Sequence, residues 1–181
     1  MKPIKDMTVG ELAAFICSHL QGHGIDVVLS GGSCVTIFSE DLYVSSDLDF
    51  IEYHTTRRKK IRDVMGKIGF SEEHRYFKHE EANLIIEFPA GPPAVGNEPV
   101  QEIIELEFAT GVLRLLSPTD CIKDRLAGYY HWGDRQCLEQ AILVAQATEV
   151  DLREVARWSQ HEGKETEFRQ FRQNLEKEKP G

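Results

Sequence analysis

Two aspartates that alternate with apolar residues constrain the fold of this chain most. Asp47 and Asp49 lie two residues apart in the run 46–53 (SDLDFIEY), which has the period of a β-strand. Their carboxylates therefore project from one face, while Leu48 and Phe50 point into a core. Two carboxylates this close repel each other unless a cation lies between them. The spacing thus predicts a buried strand with a divalent-metal site on its polar face, although an isolated pair is also typical of a solvent-exposed strand.

The residues before this strand favour a functional site over a merely solvent-exposed strand. The β-branched run 26–30 (DVVLS) predicts a buried strand, and an apolar helix should begin three residues later. The turn between them is Gly31, Gly32 and Ser33. Glycines at a strand-to-helix turn let the backbone approach a phosphate, and the Ser33 hydroxyl can donate a hydrogen bond. The turn is therefore predicted to hold phosphate groups next to the two carboxylates.

The remaining periodicity predicts an α+β fold, in which a mixed sheet is flanked by helices and followed by a helical region. Thr8 and Glu11 have capping-box spacing and open the first helix. Helices are expected over 8–22, 56–68, 118–131, 134–147, 151–161 and 164–177, with fraying from 176 to 181. Further strands are expected at 76–79, 83–88 and 102–108, and Gly111 turns the last of these into a hairpin with 112–116. The Gly/Pro-rich loop 89–99 is predicted to lack regular structure.

A composition change at Ser117 suggests two parts within one compact unit. Ser117 is a natural N-cap with Pro118 at the first helical position, and only helices are predicted after it. We therefore expect an α/β core over 1–116 and a helical region over 117–181 that packs on it.

Charge limits the class of partner. A formal net charge of −9 disfavours a surface that neutralises the phosphates of long nucleic acid, so a small, metal-chelated substrate fits better. The exception is the local basic patch of Arg57, Arg58, Lys59 and Lys60, which is either the solvated face of an amphipathic helix or a docking patch for a phosphate-rich partner such as RNA. The chain offers no apolar run that could span a membrane and no signal-peptide core, so a cytoplasmic protein is expected.

The segment VVLSGGSCVTIFSEDLYVSSDLDFI resembles the signature of the DNA polymerase β nucleotidyltransferase superfamily. The resemblance covers roughly residues 26–51: a Gly-Ser turn, a short helix and an Asp-x-Asp strand. It implies that the Gly31 to Ser33 turn holds a triphosphate and that Asp47 and Asp49 ligate Mg²⁺, or Mn²⁺ in its place. It also implies in-line attack of an acceptor on the α-phosphorus of a nucleoside triphosphate, and a third carboxylate from a neighbouring strand.

That third carboxylate departs from the common pattern of the superfamily. The strand that should supply it, NLIIEF, offers Glu87 instead of an aspartate. Glu87 ends a strand and precedes an irregular loop, where sites are often built. Glu105 and Glu107 on the alternating strand 102–108 are competitors, and without a third carboxylate the chain would be an inactive relative that still binds nucleotide.

A second resemblance covers the segment from Leu113 to Ala145. It is similar to the helical segment of bacterial AbiEii-like nucleotidyltransferase-fold proteins, in which a strand leads into a helix that carries a Lys and a later Asp; Lys123 and Asp134 stand at those positions here. This implies that Lys123 neutralises triphosphate charge and that Asp134 helps to bind the nucleotide. The residues alone leave two alternatives open, a solvated helix position for Lys123 and a helix N-cap for Asp134.

These observations predict a Mg²⁺-dependent nucleotidyltransferase that acts on an unknown acceptor, which could be RNA, protein or a small molecule. By family analogy a toxin–antitoxin role is conceivable. The alternative is a non-catalytic module of the same fold that binds nucleotide or a protein partner. An aspartyl phosphatase is disfavoured, because polar residues rather than a hydrophobic strand precede the aspartate pair.

Overall fold

A mixed sheet forms the centre of residues 2–177, the part of the chain that the computed structural model describes. The strands in chain order are β1 (Val27–Ser30), β2 (Asp47–Glu52), β3 (Ser71–Glu73), β4 (Tyr76–Lys78), β5 (Ile85–Glu87), β6 (Ala94–Val95), β7 (Glu98–Pro99), β8 (Ile103–Phe108) and β9 (Gly111–Leu116). Within the described residues, seven of them form one sheet in the order β3-β4-β5-β2-β1-β9-β8, and β6 and β7 form a separate two-stranded ribbon. The predicted mixed sheet flanked by helices is confirmed.

Three of the helices begin directly after the predicted capping residues Thr8, Ser117 and Asp151. The helices are α1 (Val9–Gly22), α2 (Gly32–Phe38), α3 (Arg58–Gly66), α4 (Pro118–Trp132), α5 (Arg135–Ala147), α6 (Leu152–His161) and α7 (Glu165–Lys177), with a short 3-10 helix at Ile4–Asp6. Thr8 and Glu11 form the complete capping box of α1. The Ser117 side chain accepts the Asp120 N–H at the start of α4, and Asp151 caps α6 in the same way.

The register of three adjacent strands places the polar motifs side by side. β2 runs antiparallel to β1, with Ser30 opposite Asp49. On its other side β2 runs parallel to β5, with Asp49 opposite Glu87. Because directly paired residues on neighbouring strands share a face of the sheet, Glu87 lies on the same face as Asp49.

The alternation predicted for the aspartate strand is confirmed. Leu48 and Phe50 are completely buried, whereas Asp47 and Asp49 are half-buried. Burying the two apolar side chains contributes about 1.5–3 kcal/mol each. A shift of one residue along the strand would exchange the two faces, so this burial fixes which residues reach the site.

The prediction of no regular structure over 89–99 was wrong. This segment contains the β6–β7 ribbon, which turns at Gly96, a glycine with φ of +58°. Contacts from α6 and the residue after it hold the ribbon in place: Trp158 Nε1 donates to the Val95 carbonyl oxygen at 3.2 Å, and the Asn97 N–H donates to Glu162 at 2.9 Å. The strand β3 was not predicted either, because its sequence SEE carries no apolar alternation.

The helices after Ser117 pack against each other and, through α4 and α5, against α2 of the sheet region. A division between 1–116 and 117–181 stays a prediction. Of the predicted frayed end, Glu176 and Lys177 belong to α7, while residues 178–181 lie outside the described residues. Among the described residues, none of the helices is both long and apolar enough to cross a membrane.

Candidate metal and nucleotide site

Three carboxylates from two adjacent inner strands, β2 and β5, meet on one face of the sheet. Carboxylate oxygens of Asp47, Asp49 and Glu87 all lie within 4.8 Å of one another. Glu87 reaches the cluster because β5 is paired with β2 in parallel, whereas its sequence competitors Glu105 and Glu107 lie on β8, at the far edge of the sheet. Three converging carboxylate oxygens are the donor set that Mg²⁺ and Mn²⁺ prefer, so the cluster fits a divalent cation.

The backbone of Gly31 makes close contact with this cluster. Gly31 has φ of +72°, and a Cβ atom added to it would stand 2.6 Å from Oδ2 of Asp49. Only glycine leaves room for the Asp49 carboxylate here, and only glycine adopts this backbone conformation without strain. The glycine that the sequence assigned to phosphate contact therefore also seats one of the carboxylates.

The surroundings of Asp49 disfavour its ionised form. Burial raises the pKa of Asp49 to about 7, and the negative charges of Asp47 and Glu87 act in the same direction. Arg125 partly opposes this increase. A bound cation would remove the penalty, because it stabilises the ionised carboxylate that burial and like charges disfavour.

Two serines hold the other aspartate and its strand in position. The Ser45 hydroxyl donates to Oδ1 of Asp47 at 2.7 Å, and the Ser33 hydroxyl donates to the Asp47 main-chain carbonyl oxygen. Ser33 is buried, so in this structure its hydroxyl joins α2 to β2. Its predicted role toward a phosphate stays a prediction. The role of Ser45 was missed, although its position directly before the Asp-x-Asp strand was a usable signal.

The loop between α2 and β2 covers the Gly-Ser turn. Gly31 and Gly32 are both buried, and a Cβ on Gly32 would meet the Tyr43 ring at 3.2 Å and the Ser45 hydroxyl at 3.0 Å. Glu40 and Asp41, just before Tyr43, have φ of +51° and +65°, a conformation that costs energy for residues other than glycine. Tyr43 therefore lies where a phosphate would approach Gly32.

A cavity of about 650 Å³ is lined by α4, the start of α5 and the turn of the β6–β7 ribbon. Its lining includes Asp124 and Arg125, whose charges act on Asp49 and also on Cys34 of α2. Arg125 donates to Asp124 at 2.5 Å and to Gln140 at 3.2 Å, so its guanidinium is held in place. Sequence reasoning missed Arg125, because nothing in its helical spacing distinguishes it from other charged positions on α4.

Lys123 and Asp134 make their side-chain hydrogen bonds outside the cluster of Asp47, Asp49 and Glu87. Lys123 is 1% exposed and donates to Glu154 at 2.7 Å, so the alternative of a solvated helix position was wrong. Asp134 caps α5 by accepting the N–H groups of Gln136 and Cys137, as one reading of the sequence predicted. It also lines the 650 Å³ cavity. Nucleotide contact by either residue stays a prediction.

Gly31→Ala should weaken divalent-cation binding by displacing the Asp49 carboxylate. The new Cβ would stand 2.6 Å from Oδ2, and the positive φ adds about 1–2 kcal/mol of backbone strain. Calorimetric titration with Mg²⁺ measures the first effect and urea unfolding the second. The matched control is Gly163→Ala, where φ is +69° and no atom lies within 4 Å of the added Cβ. Both variants should lose similar stability, and equal Mg²⁺ affinity in the two would contradict the proposed contact.

Structural comparison identifies the fold. A scan against protein-family models finds no match, and a search of curated proteins finds no similar sequence. Among solved structures, the chain is similar to an antigenic nucleotidyltransferase-like protein from Paracoccidioides brasiliensis, with a TM-score of 0.59 and 16% identity over 79% of this chain and 78% of that one.

Two further similar structures are of the antibiotic-resistance factor ANT(2'')-Ia. Its solution structure gives a TM-score of 0.49 with 17% identity over 93% of this chain and 94% of that one. Its complex with adenylyl-2''-tobramycin gives a TM-score of 0.47 with 16% identity over 88% and 94%. The likeness to the Paracoccidioides protein, together with the strand order and the Gly-Ser and Asp-x-Asp motifs, leads to one conclusion. This chain has a nucleotidyltransferase-like fold.

Proposed function

We propose that this protein is a divalent-metal-dependent nucleotidyltransferase that transfers a nucleoside monophosphate from a nucleoside triphosphate to the hydroxyl of an acceptor. The observation that carries the proposal is the convergence of Asp47, Asp49 and Glu87 within 4.8 Å, beside the Gly31 turn. A cluster that served only as an exposed polar face would have no need of a glycine shaped to receive one carboxylate.

The proposed roles follow from the chemistry of the donors. Asp47, Asp49 and Glu87 would hold Mg²⁺, which when bound stabilises the negative charge on phosphoryl oxygens. The triphosphate would lie between Gly31 and Arg125, whose guanidinium is held by Asp124 and lines a cavity large enough for a nucleotide. Trp132, which is 80% exposed at this cavity, would stack on the base.

The transfer step is a single displacement. The acceptor oxygen forms a bond to the α-phosphorus, the bond from that phosphorus to the pyrophosphate oxygen breaks, and pyrophosphate leaves. Glu87 would take the proton of the acceptor hydroxyl, because it is the member of the cluster that borders an open cavity away from Gly31. Asp47 and Asp49 would act on the phosphate by holding the divalent cation that binds its oxygens.

Turnover with labelled nucleotides tests the proposal. The protein, Mg²⁺ and each α-labelled triphosphate are incubated with cell extract, and label transfer and pyrophosphate release are measured. The variant with Asp47→Ala and Asp49→Ala should show neither. Glu87→Gln should lower the rate by about 10²-fold or more, while Glu107→Gln, the same change on an exposed strand position, should not. Equal behaviour of intact protein and double variant would end the catalytic proposal.

One observation favours a second function, a non-catalytic module that binds a nucleotide or a protein partner. In this structure Tyr43 covers Gly32, and the Ser33 hydroxyl is already bonded to Asp47. Calorimetry with Mg²⁺ and ATP separates the two functions. Binding without pyrophosphate release would support the module, whereas binding with release supports the transferase.

A further inference from the structure

A second cavity borders the carboxylate cluster on the side opposite Gly31. It has a volume of about 520 Å³ and includes Glu87 in its wall. The charged and polar residues around it come from α3 and from the β3–β4 hairpin: Arg58, Glu72, His74 and Arg75. This is where the basic patch of the sequence begins, so part of that patch reaches the site through the fold.

Arg58 at the wall of this cavity is held by a carboxylate that it shares with Arg62 and by an aromatic ring. Arg58 Nε donates to Glu72 at 2.6 Å, and Arg62 donates to the other oxygen of the same carboxylate. Arg58 also donates to the main-chain oxygen of Arg75 at 2.7 Å, and its guanidinium lies 4.7 Å from the centre of the Phe77 ring. Two guanidinium groups thus share the Glu72 carboxylate. At the wall of the cavity Arg58 and Arg75 stand against Glu72 and Glu87, so positive charge exceeds negative charge there once Glu87 ligates a cation.

Arg75 is the positive group closest to the carboxylate cluster. Its Nε lies 3.9 Å from Oε2 of Glu87, and its guanidinium lies 4.9 Å from the centre of the Tyr76 ring. The side chain is 75% exposed, so it is free to meet a ligand. A cation held by Glu87 competes with Arg75 for the same carboxylate, which makes the guanidinium available to an anion.

The order of the strands determines from which side of the carboxylate cluster an acceptor would approach. β5, β2 and β1 are adjacent in that order, so Glu87, Asp49 and Gly31 follow one another across the sheet. In-line displacement requires the acceptor and the leaving pyrophosphate to lie on opposite sides of the α-phosphorus. With the triphosphate on the side of Gly31, the acceptor enters from the side of Glu87 and meets Arg75.

We infer that the acceptor is a phosphate ester that carries a free hydroxyl, with its phosphate bound by Arg75 and Arg58 and its hydroxyl directed at Glu87. This inference rests on the proposed function. Guanidinium groups bind phosphate through charge-assisted, bidentate hydrogen bonds, and two of them, Arg58 and Arg75, line this cavity. Because the whole chain carries a net charge of −9, the acceptor is a small phosphorylated molecule or the short end of an RNA, two sources of the same chemistry.

Calorimetry with defined probes tests the inference without requiring turnover. Ribose 5-phosphate, ribose and a tetraribonucleotide with a free 3′ hydroxyl are titrated into the full-length protein with Mg²⁺ and a non-hydrolysable triphosphate analogue. Ribose 5-phosphate should bind at least about tenfold more tightly than ribose, the size of one charge-assisted hydrogen bond. Arg75→Glu should abolish this preference. Arg169→Glu, an equal change of charge on the exposed surface of α7, should keep it.

The outcomes distinguish an RNA end from a small phosphate ester, and they distinguish the inferred phosphate site from the proposed transferase function. Tighter binding of the tetraribonucleotide than of ribose 5-phosphate would support an RNA end as the source, and the reverse order a small phosphate ester. Equal binding of ribose and ribose 5-phosphate, or equal behaviour of the Arg75 and Arg169 variants, would overturn the inference. Phosphate-dependent binding in a protein that releases no pyrophosphate would support the anion site while ending the transferase proposal.

Discussion

Asp49→Asn is expected to make the metal-free protein more stable at pH 8 and to abolish nucleotidyl transfer. The pKa of Asp49 is raised to about 7 by burial and by its acidic neighbours, from 3.8 in an unfolded chain. Each pKa unit corresponds to about 1.4 kcal/mol, so ionising this group in the folded protein costs up to about 4 kcal/mol. Asparagine has no charge to bury and therefore avoids that cost.

The direction of the pH dependence follows from proton binding. Between pH 3.8 and about 7 the folded state keeps a proton on Asp49 that the unfolded state has lost. The free energy of unfolding therefore falls as the pH rises through this window, and the full penalty is present above it. Urea unfolding in EDTA should show a large advantage of Asp49→Asn at pH 8 and almost none at pH 4.

The rate of nucleotidyl transfer by Asp49→Asn should fall, although the stability of this variant should rise. Loss of a carboxylate from the proposed metal site should remove several kcal/mol of transition-state stabilisation, or about 10³-fold in rate or more. Mg²⁺ should stabilise the intact protein at pH 8 and leave the variant unchanged. Asp63→Asn, at an exposed position on α3, is the matched control for stability. If Asp49→Asn were no more stable than the intact protein at pH 8, the electrostatic account of the cluster would be wrong.

Lys123→Met is expected to destabilise the protein by about 3–5 kcal/mol, because it removes one partner from a buried ion pair. Lys123 Nζ lies 2.7 Å from Glu154 and 3.3 Å from Oδ1 of Asp120. The second contact lacks hydrogen-bond geometry, and Oδ1 has no other hydrogen-bond partner among the described residues. Without the lysine, the Asp120 charge is left buried and uncompensated, while Glu154 keeps its pairing with Arg157.

Urea unfolding of two further variants separates this account from a role in nucleotide binding. Asp120→Asn in the Lys123→Met background removes the orphaned charge and should recover part of the loss, because asparagine can still accept from Gln101 N–H at the position of Oδ2. Where the single variant stays folded, its KM for the triphosphate should equal that of the intact protein. A selective rise in KM would instead support the role that the AbiEii-like resemblance implies for Lys123.

Sequence patterns predicted the elements whose signals are local. The capping box at Thr8, the N-cap at Ser117 and the alternation of the β8–β9 hairpin each act within a few residues, and the corresponding elements are present. The choice of Glu87 over Glu105 also placed a third carboxylate in the cluster, because the strand end before an irregular loop was a usable signal.

What the sequence could not predict depends on distant contacts. The β6–β7 ribbon is held by Trp158, more than sixty residues away, so its Gly/Pro-rich segment carries no pattern of its own. Arg125 acts on Asp49, Tyr43 contacts Gly32 and Arg75 pairs with Glu87 only through packing of α4, the α2–β2 loop and the β3–β4 hairpin. The burial of Lys123 likewise depends on Glu154 of α6, which no local pattern connects to it.

The parallel pairing of β2 with β5 means that the site is insensitive to the length of the chain that joins them. Residues 53–84 run from one strand to the next through α3 and the β3–β4 hairpin, and Asp49 and Glu87 stay opposite each other as long as the strand register is kept. Insertions within the exposed turns of this segment would therefore alter the wall of the 520 Å³ cavity beside Glu87, the proposed acceptor site, while leaving the carboxylates in place. A single-residue deletion inside β5 would instead turn Glu87 to the other face of the sheet. Changes in acceptor preference and changes in metal binding are thus separable by where along this segment the chain is cut or lengthened.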